Sequence, residues 1–274
     1  MSRPLPIYYL NVEGWTERLQ FMERQFADLQ LPVQRIAGVT PADVTPADLA
    51  RYCDPRRYFW LTLVEFALNL SHLRAMRAFL DTGADFAAIF EDDAVLSRSL
   101  PTFLSAFAEA QPAFDLVKLE TFGQPVRLAR GAEAEIAGVR LRRPRDYSAG
   151  SAGYIVSRRA AETILSRDDM RRMASDEAMF NPFRPLAREL RMVIADPGLC
   201  MQADRLPDRR EAALASRVGE ARQTRAQIEA EHRWQRLPWR VVLILDRDIR
   251  MGVQKTWHQK VGGAKKQTVA FKAD

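Results

Sequence analysis

Residues 7–39 read IYYLNVEGWTERLQFMERQFADLQLPVQRIAGV, and the order of patterns within them decides the fold. Ile7-Tyr8-Tyr9-Leu10 is a short run of β-branched, aromatic and aliphatic residues, the composition of a buried strand. Thr16 to Leu29 places Leu19, Met22, Phe26 and Leu29 on one face of a helix. Val33 to Val39, entered through Pro32, reads as a second strand. Strand, helix and strand at this spacing form a βαβ unit, whose usual solution is a parallel sheet covered by helices.

The alternation continues along the chain. After a polar, proline-bearing segment at 40–57, Thr62 to Leu80 reads as a helix and Phe86 to Phe90 as a strand. A helix at Leu100–Ala110 and a strand at Asp115–Leu119 follow. Segment 123–147 holds Arg127, Arg130, Arg140, Arg142, Arg143 and Arg145, with Val139 and Leu141 between arginines, and reads as a small β excursion. Gly153 to Ser157 is a further strand, Ala160–Leu165 a helix, and Val193–Ala195 the last strand of the body. From Arg205 to Arg233 the sequence turns polar, charged and alanine-rich, as in a linker helix. No internal repeat is present.

A chain of 274 residues with 47% hydrophobic and 28% charged residues can bury a large core and stay soluble. The opening Met1-Ser-Arg-Pro-Leu-Pro lacks the regions of a signal peptide, and no apolar stretch approaches the length of a membrane span; neither secretion nor a span is expected. Cys53 and Cys200 are not closely spaced, and His72, His232 and His258 are far apart in sequence. A zinc site or disulfide framework is therefore not expected, and a reducing compartment fits.

The net charge of +6 is unevenly placed. Residues 232–274 carry 10 Lys and Arg against 3 Asp, or +7, which leaves −1 for residues 1–231. Trp234, Trp239 and Trp257 are interleaved there with Arg233, Arg236, Arg240, Arg247, Arg250 and Lys255. Leu237, Val241, Ile244, Leu245, Ile249, Val253 and Trp257 recur at spacings of three and four, as on an amphipathic helix. Such a helix either lies on an anionic membrane surface, tryptophan at headgroup level, or packs on the body with a solvated basic face. No nucleic-acid motif accompanies the charge, so nucleic acid is not an expected partner.

Phe86-Ala87-Ala88-Ile89-Phe90 ends abruptly in Glu91-Asp92-Asp93. Adjacent carboxylates raise one another's pKa, and a hard divalent cation is the natural occupant of such a cluster; the alternative is a solvated acidic loop. In open α/β sheets ligands bind beyond the carboxyl ends of the strands, where these acids stand. That placement suits transfer from a diphosphate-linked donor, with an ion bridging protein and phosphate oxygens. A P-loop motif is absent.

Several blocks then resemble one family in their order. Ile7 to Arg18, Leu31 to Val39, Leu61 to His72 and Phe90-Glu-Asp-Asp-Ala-Val95 are followed by Gly150-Ser-Ala-Gly-Tyr-Ile-Val-Ser157, Ser175-Asp-Glu177 and Pro197 to Gln202. This succession, over roughly residues 6–203, resembles glycosyltransferase family 25, which includes lipooligosaccharide and lipopolysaccharide galactosyltransferases and collagen galactosyltransferases. Ala67 and Leu68 depart from it, standing where the family usually carries Gly and Cys before the Ser-His pair.

The resemblance implies a GT-A type fold: α/β, with a mostly parallel Rossmann-like sheet covered by helices, here with a basic helical carboxyl-terminal extension. Residues 1–204 form the catalytic domain, 205–231 a charged linker helix and 232–274 a basic Trp-rich amphipathic tail. It also implies a UDP-sugar donor, Mn²⁺ or Mg²⁺, and inversion at the anomeric carbon. Glu91 and Asp93 fill the outer positions of an acid-x-acid motif as metal ligands. Asp92 orients the ribose or metal waters, or hydrogen-bonds the turn. Asn11 and Arg18 are placed for nucleotide contact, Arg18 being otherwise a solvated helix residue. Glu65 and His72 lie two turns apart on similar helix faces. His72 contacts the diphosphate, completes the metal site, or packs with Ser71. Lys118 and Glu120 are candidate donor or acceptor contacts or a surface ion pair, and Gln202 a substrate contact. One-step inversion needs a carboxylate to take the acceptor proton. Asp176 is the first candidate and Glu177 the second; a helix-capping role is the alternative for both.

The expected function is metal-dependent transfer of a hexose, galactose from UDP-galactose, to a lipid-linked saccharide such as a lipopolysaccharide or lipooligosaccharide core. The expected place is the cytoplasmic face of the membrane, held peripherally by residues 232–274. Two rival readings are a degenerate member that binds nucleotide or glycan, and a metal-dependent phosphoester hydrolase.

Overall fold

The computed structural model describes residues 5–206, 225, 227–243, 245, 252, 253, 256 and 264–274. Its centre is an eight-stranded sheet. The strands are β1 (Ile7–Asn11), β2 (Gln34–Ala37), β3 (Phe86–Glu91), β5 (Leu116–Lys118), β7 (Ala134–Ile136), β8 (Val139–Arg142), β9 (Gly153–Ser157) and β10 (Met192–Asp196), in the order β2-β1-β3-β9-β5-β10-β8-β7. The βαβ unit expected from residues 7–39 is present: β1 is parallel to β2 and to β3, and β10 is parallel to β5. β9 is inserted antiparallel between β3 and β5, and β8 runs antiparallel to β10. Six strands therefore point one way and two oppose them.

Period-two alternation distributes the strand side chains to two cores. Ile7, Tyr9, Ala88, Phe90 and Ile155 join one core, under α1 (Thr16–Asp28) and α4 (Leu100–Ala110), with Phe26, Phe103 and Phe107. Tyr8, Leu10, Ala87, Ile89, Tyr154 and Val156 join the other, with Met76 and Phe79 of α3 (Leu63–Asp81), Ala160 and Ile164 of α5 (Arg158–Leu165) and Met179 and Phe180 of α7 (Ser175–Phe180). The strands are covered on both faces, which is why they read as near-continuous apolar runs. α3 starts at a capping box: the Thr62 hydroxyl accepts from the Glu65 N–H while the Glu65 side chain accepts from the Thr62 N–H.

Three features differ from expectation. Segment 40–57 contains a short helix, α2 (Pro46–Tyr52), capped by Thr45. The excursion at 123–147 is not separate, because its strands β7 and β8 extend the main sheet. The end of the expected tail is also not helical: β12 (Lys265–Thr268) pairs antiparallel with β6 (Pro125–Leu128), and Val269 is buried with Val126, Leu128 and Ile194. Lys272 N–H then donates to the Gly198 carbonyl. A two-stranded pair of β4 (Ala94–Leu96) and β11 (Cys200–Gln202) completes the strands.

Of the tail's apolar stripe, Leu237 opens the helix Leu237–Leu243 and is exposed, as are Leu245 and Val253; Val242, beside the stripe, is exposed too. Ile244, Ile249 and Trp257 lie outside the described residues, as do 207–224 of the expected linker helix. The segment before the helix leans on the body, Arg225 and Arg236 lying over the Trp60 ring, and within the helix the Trp239 indole donates to the Arg56 carbonyl at 3.1 Å.

Candidate active site

The strand ends of β1, β3 and β5 and the start of β9 converge on one buried cluster of charge. Glu91 closes β3, and Asp92 and Asp93 follow in a tight turn; all three are buried. Asp92 is bound from the β1 end, where the Asn11 amide donates to Oδ2 at 2.9 Å, and from α1, where Arg18 donates to Oδ1 at 2.5 Å. Arg18 also lies 3.6 Å from Asp93 and over the Trp15 ring. The sequence thus placed Asn11, Arg18 and Asp92 in one site, and the turn-capping alternative for Asp92 is not what its oxygens do.

Glu91 faces the other way. Its Oε1 accepts from the Ser151 hydroxyl at 2.6 Å and lies 3.3 Å from His72 Nε2. Burial works against its charge, yet the His72 and Ser151 contacts outweigh that cost and hold its carboxyl below the usual range. Asp93 lacks such help. Burial, with Glu91 beside it, pushes its carboxyl well above the usual range, and its Oδ1 is buried without a hydrogen-bond partner. Asp92 is raised by burial too, against the pull of Arg18.

His72 is fully buried, its Nδ1 3.0 Å from the Tyr154 hydroxyl. It stands behind Glu91 and presents no face to a ligand; Ser71, its suggested packing partner, instead accepts from the Val39 N–H. Lys118 is also fully buried, and its ammonium donates to the carbonyls of Ser148 (3.0 Å), Ala149 and Gly150 (2.7 Å). An ammonium has three protons, so this set saturates it, and the expectation that Lys118 touches a substrate is corrected. Its neighbour Glu120, 3.7 Å away, is pushed by burial up to about 7. These two form a buried pair, not a surface one.

Asp176 and Glu177 occupy the first turn of α7 but face different surroundings. Asp176 is buried; its Oδ2 accepts from the Tyr147 hydroxyl at 2.6 Å and the Gly150 N–H at 2.9 Å. Glu177 is turned onto Arg184 and Asn181, at 2.5 and 3.0 Å, which leaves Asp176 as the carboxylate of the pair at the site. The start of α7 is fixed from α3, since the Ser175 N–H donates to Asn69, whose amide donates to the Met170 and Met173 carbonyls. Ser151 and Ser175 hydroxyls meet at 2.8 Å and join Glu91 to this helix.

Two clefts open on the cluster. One is lined by Asn11, Val12, Trp15, Arg18, Val39 and Asp93, the other by Asp176, Phe122, Gln202, Asp204, Arg205 and Glu65. Leu68 and Glu91 line both. Gln202, read from the sequence as a candidate substrate contact, lines the wall of the second cleft. Tyr147, Ser151 and Ser175 are the site residues that residue-type reasoning missed. The signal available was the Gly150–Ser157 block, whose two glycines mark close backbone approach. Gly150 has φ +88°, and a Cβ there would strike the Glu120 carboxylate.

Among the described residues no three His, Cys, Asp or Glu side chains are already grouped as a metal-binding set. Divalent ions at diphosphate sites are commonly held by one or two carboxylates, with phosphate and water supplying the rest. The donor set here is of that kind: hard oxygens, an excess of buried acid, and one orphaned carboxylate oxygen on Asp93. The residues fit such an ion, with Asp93 and Glu91 as the side chains that would hold it.

An open α/β sheet with carboxylates massed at its strand ends between two clefts has the form of a group-transfer site. The profile of glycosyltransferase family 25 (LPS biosynthesis protein) matches residues 5–179, and the chain belongs to that family. It is 31% identical over 148 residues to lacto-N-neotetraose biosynthesis glycosyltransferase LgtB of Neisseria meningitidis, covering 52% of this chain and 50% of that protein. It is 22% identical over 208 residues to lipooligosaccharide biosynthesis protein lic2B of Haemophilus influenzae, covering 73% and 76%. Procollagen galactosyltransferase 1-A of Xenopus laevis shares 25% over 179 residues, covering 61% of this chain and 29% of that one. The chain thus matches about half the length of LgtB.

Proposed function

We propose that this protein transfers a hexose, galactose, from a UDP-sugar to a lipid-linked saccharide of the lipopolysaccharide or lipooligosaccharide type, with inversion. The observation that carries the reading is the buried Glu91-Asp92-Asp93 cluster at the junction of two clefts, with Asp93 Oδ1 unpartnered. Family membership and the names of the relatives support the choice of sugar transfer over hydrolysis.

On this reading the cleft of Asn11, Trp15 and Arg18 takes the nucleotide. Its mix of apolar wall and one arginine suits a base, ribose and diphosphate. The acceptor enters the cleft of Asp176, Gln202 and Phe122. Asp176 takes the proton of the acceptor hydroxyl, and Tyr147 and the Gly150 N–H keep its carboxylate aimed. A Mn²⁺ or Mg²⁺ ion at Asp93 and Glu91, when bound, would neutralise the departing diphosphate. Arg18 supplies positive charge on the same side, and the ion-paired acids keep it close to where that diphosphate leaves.

Membrane association belongs to the same reading. Exposed Trp234, Leu237, Trp239, Val242, Leu245 and Val253 fall within the segment 232–274 that carries +7, a combination suited to the anionic inner face of a membrane. No helix of the described residues is long and apolar enough to cross a bilayer.

The test is release of UDP from a panel of UDP-sugars, with and without Mn²⁺ and lipid-saccharide extract, comparing wild type with Asp93→Asn. Turnover of one UDP-hexose that needs acceptor and metal and is lost in Asp93→Asn is the expected result. UDP-sugar binding without turnover would leave the degenerate reading standing, and acceptor-independent phosphoester cleavage the hydrolase.

A further inference from the structure

A buried ion pair lies directly beneath the turn that joins the two halves of the site. Lys118 ends β5, and its ammonium gathers three consecutive carbonyls, those of Ser148, Ala149 and Gly150. Glu120 completes the clamp, accepting from the Ala152 N–H at 2.9 Å. The turn fits over this pair only because residue 150 is glycine, with φ +88° and no Cβ to strike the Glu120 carboxylate. Three groups of the turn are spent on the site. The Tyr147 hydroxyl and the Gly150 N–H hold Asp176 Oδ2, and the Ser151 hydroxyl holds Glu91 Oε1.

Burying a full ammonium is costly unless its protons are all used. Methionine of similar length would fill the volume at lower electrostatic cost, so packing alone does not account for a lysine here. What the lysine adds is a fixed point for three carbonyls, and that fixes the turn. We propose that Lys118, with Glu120, is a positioning residue: it sets the 147–152 turn so that one backbone segment aims both Asp176 and Glu91. This rests on the reading of Asp176 as the acceptor's base, and it places Lys118 outside contact with donor or acceptor.

Two measurements on Lys118→Met test it. Hydrogen–deuterium exchange of peptides spanning 147–152 should quicken markedly, while β1 and β3 peptides keep their protection. In turnover, kcat should fall on the order of 10²-fold, the cost of small misplacement of reacting groups, with KM for the UDP-sugar within about threefold. In an Asp176→Asn background the same change should cost clearly less than in wild type, leaving only the part that runs through Glu91. Tyr147→Phe, which leaves the buried pair intact, guards against a folding defect and should lower kcat roughly tenfold at unchanged donor KM. A raised donor KM at unchanged kcat in Lys118→Met, or exchange at 147–152 identical to wild type, would overturn the proposal. If wild type itself shows no turnover, the proposed function fails, and the exchange measurement alone decides the role of Lys118.

Discussion

Asp93 is held in a state that costs stability. Its carboxyl is buried, raised by burial and by Glu91, and one oxygen has no partner. Removing the charge should therefore stabilise the metal-free protein while damaging the site. Asp93→Asn is expected to raise Tm by about 2–4 °C in chelator and to lower metal-dependent turnover on the order of 10²-fold or more; differential scanning fluorimetry and UDP release check the two halves. Glu120 gives the pH counterpart. Its folded carboxyl is pushed by burial up to about 7, above the ordinary value of 4.5. Between those values the folded protein binds the proton and the unfolded chain does not, so this group's contribution to stability falls as pH rises through that window. Glu120→Gln should lack that slope. Urea unfolding at pH 5, 6, 7 and 8 should show the variant gaining on wild type with pH, by at most about 3 kcal/mol.

At the scale of elements, α3 carries both support and wall of the site, since Asn69 anchors α7 and Glu65 lines a cleft. Its start depends on one reciprocal cap. Thr62→Ala should cost about 1 kcal/mol in urea unfolding, and the loss should be visible as earlier exchange in 62–68. The strands and helices that the sequence made legible are those whose apolar period is long and uninterrupted: β1, α1, α3, β3 and α4. The acids at 91–93 were legible for a different reason, being contiguous and placed at a strand's end. Direction was not legible. A buried strand such as Gly153–Ser157 shows the same alternation whichever way it runs, so nothing local in its sequence places it antiparallel between β3 and β5. With that insertion hidden, so was the turn before it, and the contacts of Tyr147, Ser151 and Lys118 with it. Lys265-Lys266-Gln267-Thr268 has no apolar alternation at all and pairs with β6 through its backbone. Its one deep anchor is Val269, and Val269→Asp should lower stability by about 2 kcal/mol or more by placing a charge among Val126, Leu128 and Ile194. Thermal unfolding checks this.

At the scale of the whole molecule, the basic segment is secured at more than one place, by Arg236 on Trp60, by Trp239 on Arg56 and by β12 on β6. Deleting residues 232–274 would therefore remove part of the folded body along with any membrane contact. Substitution is the cleaner probe. Trp234→Ala with Leu237→Ala, two exposed positions, should reduce flotation with vesicles containing anionic lipid severalfold and leave Tm within about 2 °C. Raising salt should weaken binding of wild type through screening. Flotation equal to wild type would remove the membrane from the reading.

Leu68 and Glu91 form a partition shared by the two clefts. On the proposed reading, the shapes of the donor and acceptor clefts are therefore not separately adjustable there. A single exchange of side-chain bulk at 68 reshapes both sides at once. A change of substrate preference made through Leu68 would therefore call for a second change along one of the two walls.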